Sequence, residues 1–301
     1  MSPFCPPSST APDRPRPFGL LVRHFFDRLF DNELVSRNSD AALGLAHILA
    51  VLALPGLIIP LFLYPKYTDL ASPVPMYFHF PNSFDWSLPP AMRQEIVAVA
   101  DRLFFVSLAI AVLGLVTVLK WETLFPDRRD FSLLGVLPLR GGVIFQAKLV
   151  SLLLFLGVFT VTLNGVPTLP FSIFTLVGRK VGFSYAALSI LGRATGVFAA
   201  SFFTFFLFVA LEGVLINILS YRAFLRLSPC IQVFSIVALL SVFFLSPKLG
   251  DLIGTFRKAN SPTANWLPPF WFVGLCELTR GNPDPVLRAW GGGRWRRWGW
   301  S

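Results

Sequence analysis

The chain has 301 residues, of which 54% are hydrophobic and only 14% charged, a balance far outside the usual soluble range that marks an integral membrane protein. Its formal net charge is +10, but the Arg and Lys residues are spread over helix flanks and line no groove with stacking aromatics, so no nucleic-acid partner is expected. Membrane topology accounts for the charge instead.

Residues 1–17 are rich in Pro and Ser and carry almost no core-forming side chains, which predicts disorder. Over residues 18–36, Phe18, Leu21, Val22, Phe25 and Leu29 recur at helical spacing while Arg23, His24, Asp27, Arg28 and Asp31 take the other side. A basic amphipathic helix of this kind lies in the membrane surface and does not cross it; a soluble helix packed on a partner is the alternative. Residues 41–64 are the first run of bilayer length. Pro55 and Pro60 fall inside it and predict a kink or a broken outer half. His47, alone near its inner end, reads as a residue hydrogen-bonded between helices. The Pro-rich stretch 65–96, with Tyr77 and Trp86, reads as an external loop with an aromatic interface belt. Asp101 and Arg102 then mark the outer entry to a second span, 97–119.

Segment 120–148 is polar and caught between two apolar runs, so it lies in water at one face. Lys120, Arg128, Arg129, Arg140 and Lys148 cluster near its helix ends, and short loops rich in Lys and Arg stay in the cytoplasm. The N-terminus is therefore expected inside. Twelve basic residues on the inner segments (1–40, 120–148 and 220–228) against eight on the outer ones (65–96, 167–184 and 247–285) agree with that orientation.

The third span is expected at 147–166, followed by an external piece in which Phe171 to Val177 is apolar but too short to cross. The fourth, 190–219, belongs to an apolar run longer than one perpendicular crossing requires. Gly192 and Gly196 have the GxxxG spacing and Ala199, Ala200 and Ser201 continue a small-residue face, which points to close helix packing. Arg193 and Glu212 are its intramembrane polar residues. A charge at the bilayer centre costs about 2.5–3.5 kcal/mol on insertion scales, so each should face the protein interior or sit near an interface. They stand roughly 28 Å apart along the helix and cannot pair. Glu212 either faces other helices and orders the inner half of the bundle or reaches cytoplasmic water. A short inner loop, 221–228, leads to a fifth span at 230–246. Trp266 to Leu278, broken by Pro268 and Pro269, is short for a span and is expected at the outer interface. The final stretch, 286–301, is dominated by Gly, Arg and Trp, which share G-rich codons. Its composition predicts a reading frame lost near Ala289, with a natural interfacial tail as the alternative.

The fold class is thus all-α: a polytopic transmembrane bundle of about five spanning helices plus an N-terminal interfacial helix, the membrane domain covering 41–285. Chemistry-bearing motifs are missing. No GxxxxGK[ST], HExxH or GxSxG occurs. Cys5, Cys230 and Cys276 are far apart, as are His24, His47 and His79, and imply no disulfide framework, metal or cofactor. No removable signal peptide is expected at the start, and the chain is not expected to be an enzyme.

Three strings carry a resemblance: RHFFDRLFDNELVS (23–36), LFPDRRDFSLLGVLPLRGGVIFQAK (124–148), and the region from EGVLINIL to RLSPCIQ (212–232). On these, over about residues 18–285, the chain resembles the membrane-spanning permease subunits of ABC-2-type transporters. The resemblance implies an elbow helix on the inner leaflet of the plasma (inner) membrane and a coupling helix between the second and third spans. That helix would dock into a separate ABC ATPase subunit, with a second permease half completing an exporter. The implied coupling positions are Asp127, Arg128, Arg129, Asp130, Phe131, Leu134, Leu137, Pro138 and Arg140. Phe131, Leu134 and Leu137 would share a face suited to an apolar groove, with the arginines at its rim. A solvated loop whose arginines only enforce topology is the alternative. Such permeases commonly have six spans, so a C-terminally truncated member is expected. The competing readings are a non-transporting remnant and a secondary transporter or channel.

Overall fold

The computed structural model describes residues 17–30, 41–80, 84–121, 141–179, 181–251, 253, 266–282 and 284–290. Its described residues form helices and connecting turns, and five helices are long and apolar enough to cross a membrane. The protein is an all-α helical bundle. The first helix, α1 (Pro17–Phe30), opens on proline, whose missing N–H costs nothing at the first helical position. Leu21 and Phe25, one turn apart, are buried against Ala147, while Arg23 and Asp27 remain exposed. The apolar face is therefore partly covered by the start of α4 (Gly141–Thr160), while Phe18 and Leu20 stay exposed.

Helix α2 (Ala41–Ala71) runs unbroken through Pro55, Pro60 and Pro65, beyond the expected end at residue 64. Two contacts hold its last turns: Lys66 Nζ donates to Asp101 Oδ1 at 2.7 Å and the Tyr67 hydroxyl to Asp101 Oδ2 at 2.8 Å. Asp69 then accepts from the amides of Met76, Tyr77 and Phe78 at 2.6–3.0 Å, fixing the chain as it leaves the helix. Helix α3 (Pro90–Leu119) starts at the Pro89–Pro90 pair, earlier than the expected residue 97. Glu95, Asp101 and Arg102 consequently lie within its first turns and not at a helix entrance.

The third crossing is a composite of α4, a π-helical turn (Val161–Gly165) and α5 (Val166–Phe174), spanning Gly142–Phe174. Pro167 explains the π turn. It cannot donate to the Leu163 carbonyl and its ring would collide with that carbonyl in a regular α-helix, so the backbone widens by one residue. Asn164 in the turn donates from Nδ2 to Ser201 Oγ at 3.0 Å, tying it to the next crossing. Phe171 is fully buried, so the apolar piece read as an outer interfacial segment completes the crossing.

Helix α6 (Phe183–Ile218) is followed after only Leu219 and Ser220 by α7 (Tyr221–Asp251), which absorbs the expected inner loop. Helix α8 (Pro268–Arg280) differs most from expectation. Phe270, Val273, Cys276 and Glu277 are fully buried between α3 and α6. The GxxxG glycines of α6 receive it: an added Cβ at Gly196 would strike the Cys276 sulfur and approach the Phe272 carbonyl to 2.8 Å, and one at Gly192 would lie 2.7 Å from the Cys276 carbonyl. This pairing makes α8 antiparallel to α6, beginning beside the middle of α6 and rising to its N-terminal end. Gly281, at φ 71°, closes α8 in the left-handed conformation that glycine adopts without strain. The short α9 (Pro285–Arg288) follows, and Trp290 packs edge-on against Phe270 at 5.1 Å. The first tryptophan of the unusual C-terminal stretch is thus a core residue.

Candidate functional site

The ends of α2, α3, α5, α6 and α8 that the sequence topology makes external meet in one charged cluster. Its position follows from local folding: Pro90 starts α3 early enough to carry Glu95 and Arg102, two turns apart, down one face, and Gly192 lets α8 approach close enough to bring Glu277 and Arg280 opposite them. Glu277 is fully buried and accepts from Arg102 Nη1, from Arg280 Nη1 at 3.1 Å and from Asn282 Nδ2 at 2.7 Å. Glu95 is the second hub. It accepts from Arg280 Nη1 at 2.8 Å and Arg179 Nη1 at 3.2 Å, with Arg102 Nη1 at 3.6 Å. Arg280 also donates to the Tyr185 hydroxyl at 2.9 Å. Burial works against the Arg280 charge, but the hydrogen bond to Glu95 and the charges of Glu95 and Glu277 outweigh it, so its guanidinium holds its proton more tightly than a free arginine.

A cavity of about 440 Å³ opens beside this cluster, within the range of ordinary ligand pockets. Glu95, Arg179, Tyr185 and Arg280 form its polar wall, and Met92, Ile96, Val99 and Leu287 its apolar one.

Arg193 lies near the cluster, 2% exposed, its guanidinium held between the rings of Phe105 at 4.1 Å and Phe171 at 3.9 Å. Its Nε and Nη1 make no hydrogen bond. The two stacked rings supply cation–π attraction of about 2 kcal/mol each at a desolvated site, in place of a carboxylate. Glu212, 3% exposed, is buried toward the opposite end of α6. The structure does not bring Arg193 and Glu212 together. Positions 127–140, which hold every coupling residue named from the resemblance, lie outside the described residues. The flanks of that segment are described: Trp121 is 1% exposed in the main core, and Lys148 is buried with Nζ 5.2 Å from the Phe25 ring.

Sequence reads Arg102 only as a charge at the entry to a span, and does not single out Glu95, Arg179, Glu277 or Arg280. The usable signal was the Pro-Pro helix start, which shifts Glu95 and Arg102 inside α3, together with the i, i+3 spacing of Glu277 and Arg280. Among the described residues no three His, Cys, Asp or Glu side chains gather as metal ligands. No protein-family model, curated protein or solved structure matches the chain.

Proposed function

We propose that the chain is the membrane-spanning permease subunit of an ABC-2-type ATP-driven exporter, in a plasma (inner) membrane with its N-terminus in the cytoplasm. The chain carries no phosphate-cradling loop, so the energy comes from a separate ATPase subunit, and a second permease half completes the path. The observation that carries this reading is the anchoring of segment 120–148 at both ends. Trp121 is sealed in the core that joins α3, α6, α7 and α8, and Ala147 is clamped by Leu21 and Phe25 of the surface helix α1. Beyond that clamp, Leu152, Phe155, Leu156 and Phe159 of α4 pack with Leu113 of α3 and Phe205 of α6. A displacement imposed on the segment by a docked partner is delivered through packed side chains to three crossings. Packed interiors transmit such strain because they compress little. A loop serving only to set topology needs no such attachment.

The test is affinity purification of the chain from its native cells in mild detergent, asking whether an ABC ATPase co-purifies. It is repeated with Arg128, Arg129 and Phe131 changed to Ala. Recovery of the ATPase with the unaltered chain and its loss with the triple variant supports the reading; its absence from both preparations removes it. A second reading, a transporter driven by an ion gradient, is favoured by one observation: ionisable groups are buried on α2, α3, α6 and α8. It predicts ATPase-independent uptake or release coupled to protons or Na⁺ in vesicles containing the chain alone.

A further inference from the structure

The charge balance of the outer cluster is unequal. Arg102, Arg179 and Arg280 share two carboxylates, Glu95 and Glu277, and Arg193 adds a cation with no carboxylate contact among the described ion pairs. Counting Asp284, which lines the cavity and caps α9 by accepting from the Val286 amide, leaves four guanidiniums against three carboxylates among the described residues of the cluster. The Lys66–Asp101 pair is neutral as a unit. The Phe105 and Phe171 rings offset Arg193, so the positive charge that an anion from outside can meet lies with the three arginines that share Glu95 and Glu277, of which Arg179 is the most exposed.

The cavity is placed to admit one. Arg179, on the turn between α5 and α6, gives only Nη1 to Glu95 and is partly exposed at the polar wall, where its guanidinium also stacks 5.6 Å from the Tyr185 ring. The opposite wall is apolar, and its Met92 and Ile96 are exposed, at 53% and 36%, so that side of the cavity is open at an apolar edge of α3. A free inorganic ion would leave that wall unused. We infer that this cavity binds an anionic amphiphile, with a phosphate or carboxylate head on Arg179 and an apolar body along Ile96 and Val99. The inference does not rest on the transporter reading and holds whether or not an ATPase docks at the other end of the molecule.

The head chemistry is shared by a membrane lipid and a soluble phosphate, so the experiment separates them. The full chain is reconstituted into phosphatidylcholine nanodiscs, and binding of a fluorescent short-chain phosphatidic acid is titrated with and without inorganic phosphate as competitor. Two variants are compared, Arg179→Gln, which removes the charge, and Ala91→Trp, which fills the cavity from its exposed edge. Both sites lie outside the packed core, and matching gel-filtration profiles verify that the variants fold. The expected result is saturable binding of one phosphatidic acid per chain, weakened at least about ten-fold in Arg179→Gln, the loss that follows from removing one charge-assisted hydrogen bond, and at least as much in Ala91→Trp, whose indole occupies the space of the apolar body. Displacement by inorganic phosphate only at far higher concentration identifies the lipid as the source. Displacement at equal concentration keeps the anion site but overturns the amphiphile. Equal binding by the wild type and both variants, or no saturable binding by any of them, overturns the site.

Discussion

Glu277 is the residue whose removal should cost most. Its carboxylate is fully buried and takes charge-assisted hydrogen bonds from Arg102, Arg280 and Asn282. Changing Glu277 to Ala leaves Arg102, itself 3% exposed, with only the longer 3.6 Å approach to Glu95, and leaves Asn282 without an acceptor. Breaking one member of a buried ion pair typically costs about 3–5 kcal/mol, because the partner charge stays desolvated. Arg280 softens the loss because it keeps Glu95 and Tyr185. We therefore expect about 3 kcal/mol for Glu277→Ala, and less for Glu277→Gln, whose amide oxygen still accepts. The double replacement Arg102→Met with Glu277→Met, which removes both charges and keeps the volume, should recover most of the loss. The assay is equilibrium unfolding in mixed detergent micelles, followed by tryptophan fluorescence. A single Ala variant within about 0.5 kcal/mol of wild type, or a double variant no better than the single, would refute the view that an orphaned Arg102 sets the cost.

Three further outcomes are expected. Gly196→Ala should destabilise by about 1–3 kcal/mol, because the new methyl meets the Cys276 sulfur and the Phe272 carbonyl, and Cys276→Ala should restore only part since the carbonyl remains; paired unfolding curves check this. Arg193→Met should be neutral or stabilising by up to about 2 kcal/mol, as a desolvated charge is exchanged for a side chain that still packs on Phe105 and Phe171, and a loss above about 1 kcal/mol in the same assay contradicts it. Phe25→Ala should release α1 from α4, raising tryptic cleavage after Arg23 by about a hundred-fold, the factor that a loss of about 3 kcal/mol gives when α1 opens locally before cleavage.

Which features could be read from the sequence depends on how local their cause is. The five long apolar helices could be read because length and hydropathy need no knowledge of neighbours. The Gly192–Gly196 face could be read as a close contact, because absent side chains have one structural use in a membrane helix. Its partner could not be read. Trp266 to Leu278 looks like an interfacial segment when judged alone, since it is too short to cross and begins with two prolines. Only the tertiary pairing with α6 shows that a helix of this length can be buried by entering the bundle and not crossing it. The same reason hid the charged cluster. Glu95 and Glu277 are 182 positions apart in the sequence, and each looks like a surface charge until Arg280 joins them. The helix ends depart from expectation in one direction: α2 and α3 extend past their apolar runs because ion pairs make Lys66 and Glu95 tolerable inside, and the third crossing continues through the apolar residues 166–174.

The two carboxylate hubs divide the work of holding this end of the bundle together. Arg102–Glu277 joins α3 to α8 through groups almost wholly withdrawn from solvent, so separating that pair exposes two charges at once and strongly favours motion of α3 and α8 as a unit. Arg179–Glu95 joins α3 to the turn before α6 through side chains that are 18% and 25% exposed, and water can replace that contact at little cost. Gln94, 1% exposed, adds a second tie by donating from Nε2 to the Val177 carbonyl at 2.8 Å, so the α5–α6 turn is held to α3 by one contact open to water and one withdrawn from it. The cavity lies along that interface, with Arg179 on one side and Ile96 on the other. A ligand seated there touches both halves of the interface, so its occupancy and the position of the turn are linked by the same free energy.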